Sequence, residues 1–187
     1  QSNVKRMLAF SSVSHAGFLV MGILVLNETS ISAVLFYLVV YSVINLGAFA
    51  IVSAAEQENK GLELKNYRGL AAQHPWFSAA MTIFMISLAG FPPTAGFVAK
   101  YGLFSAAVEQ GYIWLVIIAV LNTLISVYYY LRLVVNMYMR QEKETLQPAY
   151  GVLALGLIGF LAGVVLVLGI TPEFLLKITA EAASTAY

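Results

Sequence analysis

The sequence predicts an all-α membrane protein of five transmembrane helices, one of them discontinuous and broken at Pro92-Pro93. Three observations carry that reading. The chain of 187 residues is 60% hydrophobic and 10% charged, whereas an ordinary soluble domain is about 45–50% apolar and about 25% charged. The charges are segregated, with none in residues 7–27, 29–55, 69–99, 110–131 or 145–172. Each run reaches the roughly 20 residues that cross a bilayer core of about 30 Å. No segment alternates polar and apolar over about 10 residues as a barrel strand would, so helices are the elements left to span.

Taken in order, a first helix is expected over about residues 8–26, behind Lys5 and Arg6. Asn27-Glu28-Thr29-Ser30 reads as a tight turn into a second helix over 31–55. Residues 56–74 are the longest polar stretch, with Glu56, Glu58, Lys60, Glu63, Lys65 and Arg68. Segment 76–108 is the third crossing, and Glu109-Gln110-Gly111 turns into a fourth over 112–138. The charges of 140–144 precede Pro148, and the last helix is expected over 150–170. It has almost no polar side chain, and its Gly159-x-x-x-Gly163 spacing suits close helix packing. The tail from Thr171 is expected along the membrane interface, and residues 1–187 form one transmembrane domain. Lys and Arg set the orientation. Lys5, Arg6, Lys60, Lys65, Arg68, Arg140 and Lys143 share one side, expected to be cytoplasmic, while Glu28 and Glu109 lie opposite with the C-terminus. Lys177 breaks the asymmetry. Tyr67 with Trp76, and Tyr112 with Trp114, fit aromatic belts at the two faces.

The third crossing needs a break. At 1.5 Å per residue, its 33 residues would make a straight helix of about 50 Å. Pro92 and Pro93 remove two backbone donors, and Gly90 and Gly96 permit unusual backbone angles. Interrupted membrane helices survive where protein or water satisfies the freed groups, and transporters place ion sites there. Lys100 follows the break and is the sole Asp, Glu, Lys or Arg between Arg68 and Glu109. An intramembrane lysine costs roughly 2.5–3.5 kcal/mol, and such a group faces a bundle interior or a water path by default. The start of the second half-helix is expected to set positive partial charge beside the amine. A lysine that can lose its proton can pass one on.

Other polar residues fall at helical spacing. Ser11 and His15 share a face of the first helix; Tyr37, Tyr41 and Asn45 form a stripe on the second. Asn122, Ser126, Tyr129 and Asn136 line one side of the fourth, with Arg132 three residues after Tyr129. Together they are candidates for a hydrated path against Lys100, although each alone is the usual mark of an interhelical hydrogen bond. His15 reads equally as a proton relay or a structural histidine, and Arg132 as a buried charge partner or a side chain snorkelling to the interface. The chain lacks cysteine and has two histidines, which excludes thiolate chemistry and leaves little for a metal site. There is no nucleotide-binding or haem motif. A net charge of +1 offers no surface for nucleic acid.

Lys5-Arg-Met-Leu-Ala-Phe-Ser-Ser-Val-Ser-His-Ala-Gly17 resembles a segment of the antiporter-like membrane subunits of respiratory complex I, shared with Mrp-type antiporters and membrane hydrogenases. Leu88-Ala-Gly-Phe-Pro-Pro-Thr-Ala-Gly-Phe-Val-Ala-Lys100 is similar to the broken twelfth helix of that family, whose lysine is a central proton-transfer group. One branch carries glutamate there, which Lys100 argues against. Tyr128-Tyr-Tyr-Leu-Arg132 and Asn66-Tyr-Arg-Gly-Leu70 resemble the N-type branch. Phe10 where tyrosine is usual, and Ala99 where glycine is common, are the departures.

The resemblance implies helices ten to fourteen of a fourteen-helix antiporter-like fold with inverted repeats. Upstream proton-transfer groups would lie outside this chain, and the absence of a starting methionine fits the C-terminal portion of a longer subunit. It further implies a non-redox, proton-translocating subunit of NADH:quinone oxidoreductase in a bacterial inner membrane. NADH, FMN, iron–sulfur clusters and quinone would belong to partner subunits, with no cofactor in this chain. A subunit of an Mrp-type Na⁺/H⁺ antiporter or membrane hydrogenase is the alternative.

Overall fold

The computed structural model describes residues 1–56, 62–140, 148 and 151–185. Among them helices form and no strand does, apart from one isolated bridge between Asn3 and Glu63. Helix α1 runs Val4–Val25, a turn earlier than expected, because Asn3 caps it by accepting the Arg6 N–H at 2.8 Å. Helix α2 runs Glu28–Ala55. Asn27 and Ser30 form a reciprocal capping box, at 2.7 and 3.1 Å. The residues expected as a turn are thus mostly the first turn of α2, and the connection shrinks to Leu26 and Asn27.

In the polar stretch that follows, Glu58 and Lys60 lie outside the described residues. The rest forms a 3₁₀ turn, Leu64–Tyr67, and a short helix α3, Leu70–Gln73. Backbone bonds tie it down. Val4 N–H donates to Leu62 O and Leu64 N–H to Ser2 O, both at 2.7 Å, and Gly69 N–H reaches Asn136 O at 3.2 Å. A Lys5–Glu56 ion pair at 2.8 Å closes the same corner. Tyr67 is fully buried there, at 0% exposure, so it does not belong to an aromatic belt. Trp76 and Trp114, each 80% exposed, and Tyr112, also exposed, remain as the outward-facing aromatics of the two expected girdles.

The segment expected as the third crossing forms two helices, α4 (Pro75–Ala89) and α5 (Ala95–Glu109), of 15 residues each. Each is about 22 Å long, short of a bilayer core by itself. Helix α6 is Ile113–Met139 and α7 is Val152–Ile170. Residues 141–147 and Tyr150 lie outside the described residues, and with them the charges expected at 142–144. Helices α1, α2, α6 and α7 are long and apolar enough to cross a membrane. A final helix α8, Glu173–Ser184, folds back onto the start of α2, burying Thr179 and Ala183. Ser32 Oγ donates to Thr179 Oγ1 at 3.2 Å.

Helix α2 is the hub, packed by α1, α4, α5, α7 and α8, and α6 closes the far side against α4 and α1. The buried positions Ser30, Ala33, Tyr37, Val40, Ile44, Gly47, Ile51 and Ala55 recur at intervals of three and four along α2, so its buried face runs the length of the element. Helix α7 buries Ile158, Ala162 and Val165 and exposes Val152, Leu153 and Phe160. The close packing expected at Gly159 and Gly163 is not made among the described residues, since a Cβ at either would meet nothing within 4 Å.

Candidate functional site

The site is built by the break. An α-helix leaves its last four carbonyls without intrahelical donors, and in α4 these belong to Ile86, Ser87, Leu88 and Ala89. Gly90, at φ 85°, ends the helix in the left-handed region. Its N–H donates to Ser87 O at 3.0 Å and Ile86 O at 3.1 Å, and Phe91 N–H donates to Ile86 O at 3.2 Å. This is a Schellman motif, and it provides for the first two carbonyls. Lys100 takes the other two, its Nζ donating to Leu88 O at 2.8 Å and Ala89 O at 3.3 Å. Across the gap, Gly96 N–H at the start of α5 donates to Ser87 Oγ at 3.0 Å. Each half-helix satisfies the loose end of the other. Gly96 makes that approach possible, because a Cβ there would fall on the Ser87 carbonyl.

This placement corrects one expectation. The Lys100 side chain does not rest against the positive start of α5. It reaches back to the negative end of α4, where carbonyl dipoles favour a cation. Lys100 is 5% exposed and is the one buried Asp, Glu, Lys or Arg among the described residues. The Phe18 ring centroid lies 5.4 Å from Nζ, within cation–π range. A neutral amine keeps two N–H donors, so both carbonyl bonds can survive loss of the third proton. The geometry therefore holds the amine in place in either state.

Lys100 shares a cavity of about 10 Å³ with His15, Tyr37, Tyr41, Ser87 and Gly96, close to the minimum for one water. His15 is buried on α1. Its Nδ1 lies 2.5 Å from Tyr37 Oη and its Nε2 3.2 Å from Tyr130 Oη. Tyr41 stacks on the imidazole at 4.7 Å between centroids, and Asn45 Nδ2 donates to Tyr41 Oη at 3.3 Å. Ser11 and Tyr129 neighbour Tyr130, and Tyr129 in turn faces Ser126 and Ser14.

The structure thus brings Ser11, His15, Tyr41, Asn45, Ser126 and Tyr129 into one polar cluster centred on His15 and Tyr130, of which His15 and Tyr41 line the Lys100 cavity. Asn122 stands apart, in an apolar cleft of about 460 Å³ between α1 and α6 that Ser14 also lines. Arg132 is exposed on α6, and no ion pair with it is found among the described residues. Asn136 donates to the Arg132 carbonyl at 2.6 Å, satisfying its own helix rather than the network. Pro92 and Pro93 sit in the gap, against the end of α7, where a Cβ on Gly169 would fall on Pro93 O.

Besides Phe18 and Ser87, the residue missed from sequence is Tyr130. Its signal was present, because Ala119, Ser126, Tyr130, Leu133 and Met137 continue a buried stripe at intervals of seven, four, three and four. A second polar cleft of about 450 Å³ descends from Glu28, Thr29, Ser32 and Ser105 to Ala99, under α8. Ala99 lines both this cleft and the Lys100 cavity. Among the described residues, no three His, Cys, Asp or Glu side chains gather to hold a metal.

The family model described as NADH:quinone oxidoreductase/Mrp antiporter, transmembrane, matches residues 1–126. A protein of Thermodesulfovibrio yellowstonii named NADH-quinone oxidoreductase subunit N 1 is 45% identical, over 94% of this chain and 38% of its own length. One of the same name from Herpetosiphon aurantiacus is 47% identical, over 92% and 36%. The chain spans well under half the length of these relatives. A chain of respiratory complex I from Thermus thermophilus is 32% identical with a TM-score of 0.83, over 95% of this chain and 40% of that one. A chain of the Mrp complex from Dietzia sp. DQ12-45-1b has a TM-score of 0.89 at 23% identity, over 100% and 43%, a likeness of fold alone. With two-thirds of its residues matched by the family model, the chain belongs to the NADH:quinone oxidoreductase/Mrp antiporter transmembrane family.

Proposed function

We propose that this chain is the proton-translocating, non-redox part of an N-type membrane subunit of NADH-quinone oxidoreductase, with Lys100 as its central proton-transfer group. The observation that carries the reading is the buried Lys100 ammonium, held on the two free carbonyls of a broken helix beside His15. Electron transfer to quinone, with NADH, FMN and iron–sulfur clusters, belongs in this reading to partner subunits of the membrane and peripheral arms. The arriving signal is electrostatic. Two unit charges 4 Å apart at an effective dielectric of about 20 interact by about 4 kcal/mol, which changes proton affinity about a thousandfold. Lys100 then takes its proton from the His15 side and releases it to the cleft that opens at Glu28.

In the finer topology, α4 and α5 together make one crossing. The five crossings are helices ten to fourteen of fourteen, in a bacterial inner membrane. Lys5, Arg6, Lys65, Arg68 and Arg140 gather at one end of the bundle and Glu28 and Glu109 at the other. That supports a cytoplasmic residue 1 and a periplasmic C-terminus. The Mrp antiporter reading has a likeness of fold alone behind it, whereas relatives 37–47% identical carry the subunit N name.

The test is proton uptake by proteoliposomes holding the whole complex, wild type against Lys100→Ala, with quinone reduction followed in parallel. Protons moved per electron fall in the variant while assembly is retained. An unchanged ratio removes Lys100 from the path, and Na⁺/H⁺ exchange without quinone reduction establishes the antiporter instead.

A further inference from the structure

His15 is held between two phenols from two different helices. Tyr37 of α2 faces Nδ1 and Tyr130 of α6 faces Nε2, at 2.5 and 3.2 Å. A neutral imidazole has one N–H donor and one acceptor nitrogen, and a phenol is both donor and acceptor. So one tyrosine donates to the ring while the other accepts from it. Tyr41 stacked on one face and Phe18 edge-on at 5.9 Å keep the ring in plane between them. Both hydroxyl-bearing rings are buried. An imidazolium or a tyrosinate here would be a desolvated charge, and an imidazolium would also repel Lys100.

We infer that Tyr37 and Tyr130 act with His15 as a neutral relay, in which a proton crosses the imidazole by exchange of its tautomers. The Tyr130 O–H bond breaks as Nε2–H forms, and the Nδ1–H bond breaks as a new O–H forms on Tyr37. The proton Tyr37 already held leaves to a water in the shared cavity or to the neutral amine of Lys100. Tyr130 regains a proton through the Ser11 or Tyr129 hydroxyl beside it, and that hydroxyl takes a replacement from a hydronium entering between α1 and α6, where Ser14, a neighbour of Tyr129, lines the open cleft. Every oxygen and nitrogen keeps its valence, and one proton has moved from the α6 side to the α2 side. The ring is left in its other tautomer, so the relay carries one proton and then resets. The groups that face it are Ser11 and Ser14 on α1, Tyr41 on α2, Lys100 on α5 and Tyr129 and Ser126 on α6, and Lys100 is the sole cation among them. The inference rests on the reading of Lys100 as a proton-transfer group.

The test uses the same reconstituted complex with Tyr37→Phe, Tyr130→Phe and fluorotyrosine at position 130, and Lys100→Ala as the control. Each phenylalanine slows proton uptake by about 10²-fold, the lower range for a positioned proton-transfer group. Fluorotyrosine keeps the hydroxyl and the fold but is a stronger acid, so the pH profile of uptake moves to lower pH. A merely structural hydrogen bond would leave that profile in place. Phenylalanine variants that pump at the wild-type rate, or an unmoved profile with fluorotyrosine, overturn the relay. Should the phenylalanine variants fail to assemble, the fluorotyrosine profile decides. Normal pumping by Lys100→Ala sinks the reading beneath, whatever the tyrosine variants do.

Discussion

Glycine does opposite things at the break and in the middle of α7. At the break a Cβ on Gly96 would land on the Ser87 carbonyl, and one on Gly169 on the backbone of Pro93 and Thr94. Further back along α7, Gly156, Gly159 and Gly163 have nothing within 4 Å of where a Cβ would be. The difference follows from backbone accounting. In lipid each backbone polar group needs a protein partner or water. At the break those partners are Ser87 Oγ and Lys100 Nζ, which reach their targets because the two half-helices touch. Helix α7 satisfies itself internally and needs no close neighbour. Its glycines instead hollow out a cleft of about 500 Å³ against Trp76, Ala79 and Ile83 of α4.

The sharpest way to break this comparison is Gly96→Ala. The new methyl meets a backbone carbonyl, which cannot swing aside as a side chain can. Overpacking of this kind costs about 1–3 kcal/mol and occasionally more, and here it also parts Gly96 N–H from Ser87 Oγ. The expected result is the upper end of that range, read as a lowered thermal midpoint of the purified complex or loss of the subunit from it. A variant as stable as wild type would mean that the two half-helices do not abut.

Ser87→Ala comes next. It removes one acceptor and leaves the buried Gly96 N–H unpaired, at a cost of about 1–3 kcal/mol, with no steric clash. Ser87→Thr keeps the oxygen, so stability falls less with threonine than with alanine. Equal losses for the two would assign the effect to packing and not to the hydrogen bond.

How far the sequence revealed this site differs from residue to residue. The break was legible because proline and glycine act locally: Pro92 and Pro93 cannot donate, whatever surrounds them. Lys100 was legible because a lone charge in an apolar run has few places to go. The target of its side chain was not, because it depends on how two half-helices overlap in space. Spacing along the chain suggested the nearby start of α5, and the structure shows the end of α4. The three tyrosines at 128–130 show the same limit. Successive residues on a helix point about 100° apart, and their exposures are 71% for Tyr128, half-buried for Tyr129 and 0% for Tyr130. Chemistry alone cannot choose among three identical side chains, whereas the register of the buried stripe does.

Tyr67 provides a smaller contrast, a buried polar group that the described residues do not satisfy. Its hydroxyl has no hydrogen-bond partner among the described residues. Burial, with the Glu56 charge adding to it, pushes the phenol above its ordinary range. The sign follows from linkage. Below about pH 10 the phenol is neutral in folded and unfolded chains alike; above it the unfolded chain releases the proton that the folded chain retains. Stability therefore falls as pH rises beyond about 10, and Tyr67→Phe removes that share of the fall. At neutral pH the same variant changes stability by about 0.5 kcal/mol or less, because no hydrogen bond is lost. A large loss at neutral pH would reveal a partner for the hydroxyl.

The smallest intrinsic effect is expected at Gly159→Ala. Alanine is the better helix former by about 1 kcal/mol, and its methyl enters open space. Within this chain the change is therefore neutral or slightly stabilising. The same substitution also measures what lies outside the chain. A neighbouring transmembrane helix seated in the α4–α7 cleft would approach through Gly159 and Gly163, and a methyl group in its way would weaken assembly as it does at other small-residue contacts. Subunit content after purification of the Gly159→Ala complex reads this directly. Unchanged content leaves the cleft to lipid chains, and loss of a subunit turns the open glycines of α7 into a contact of the same kind as the filled ones at the break, made between chains instead of within one.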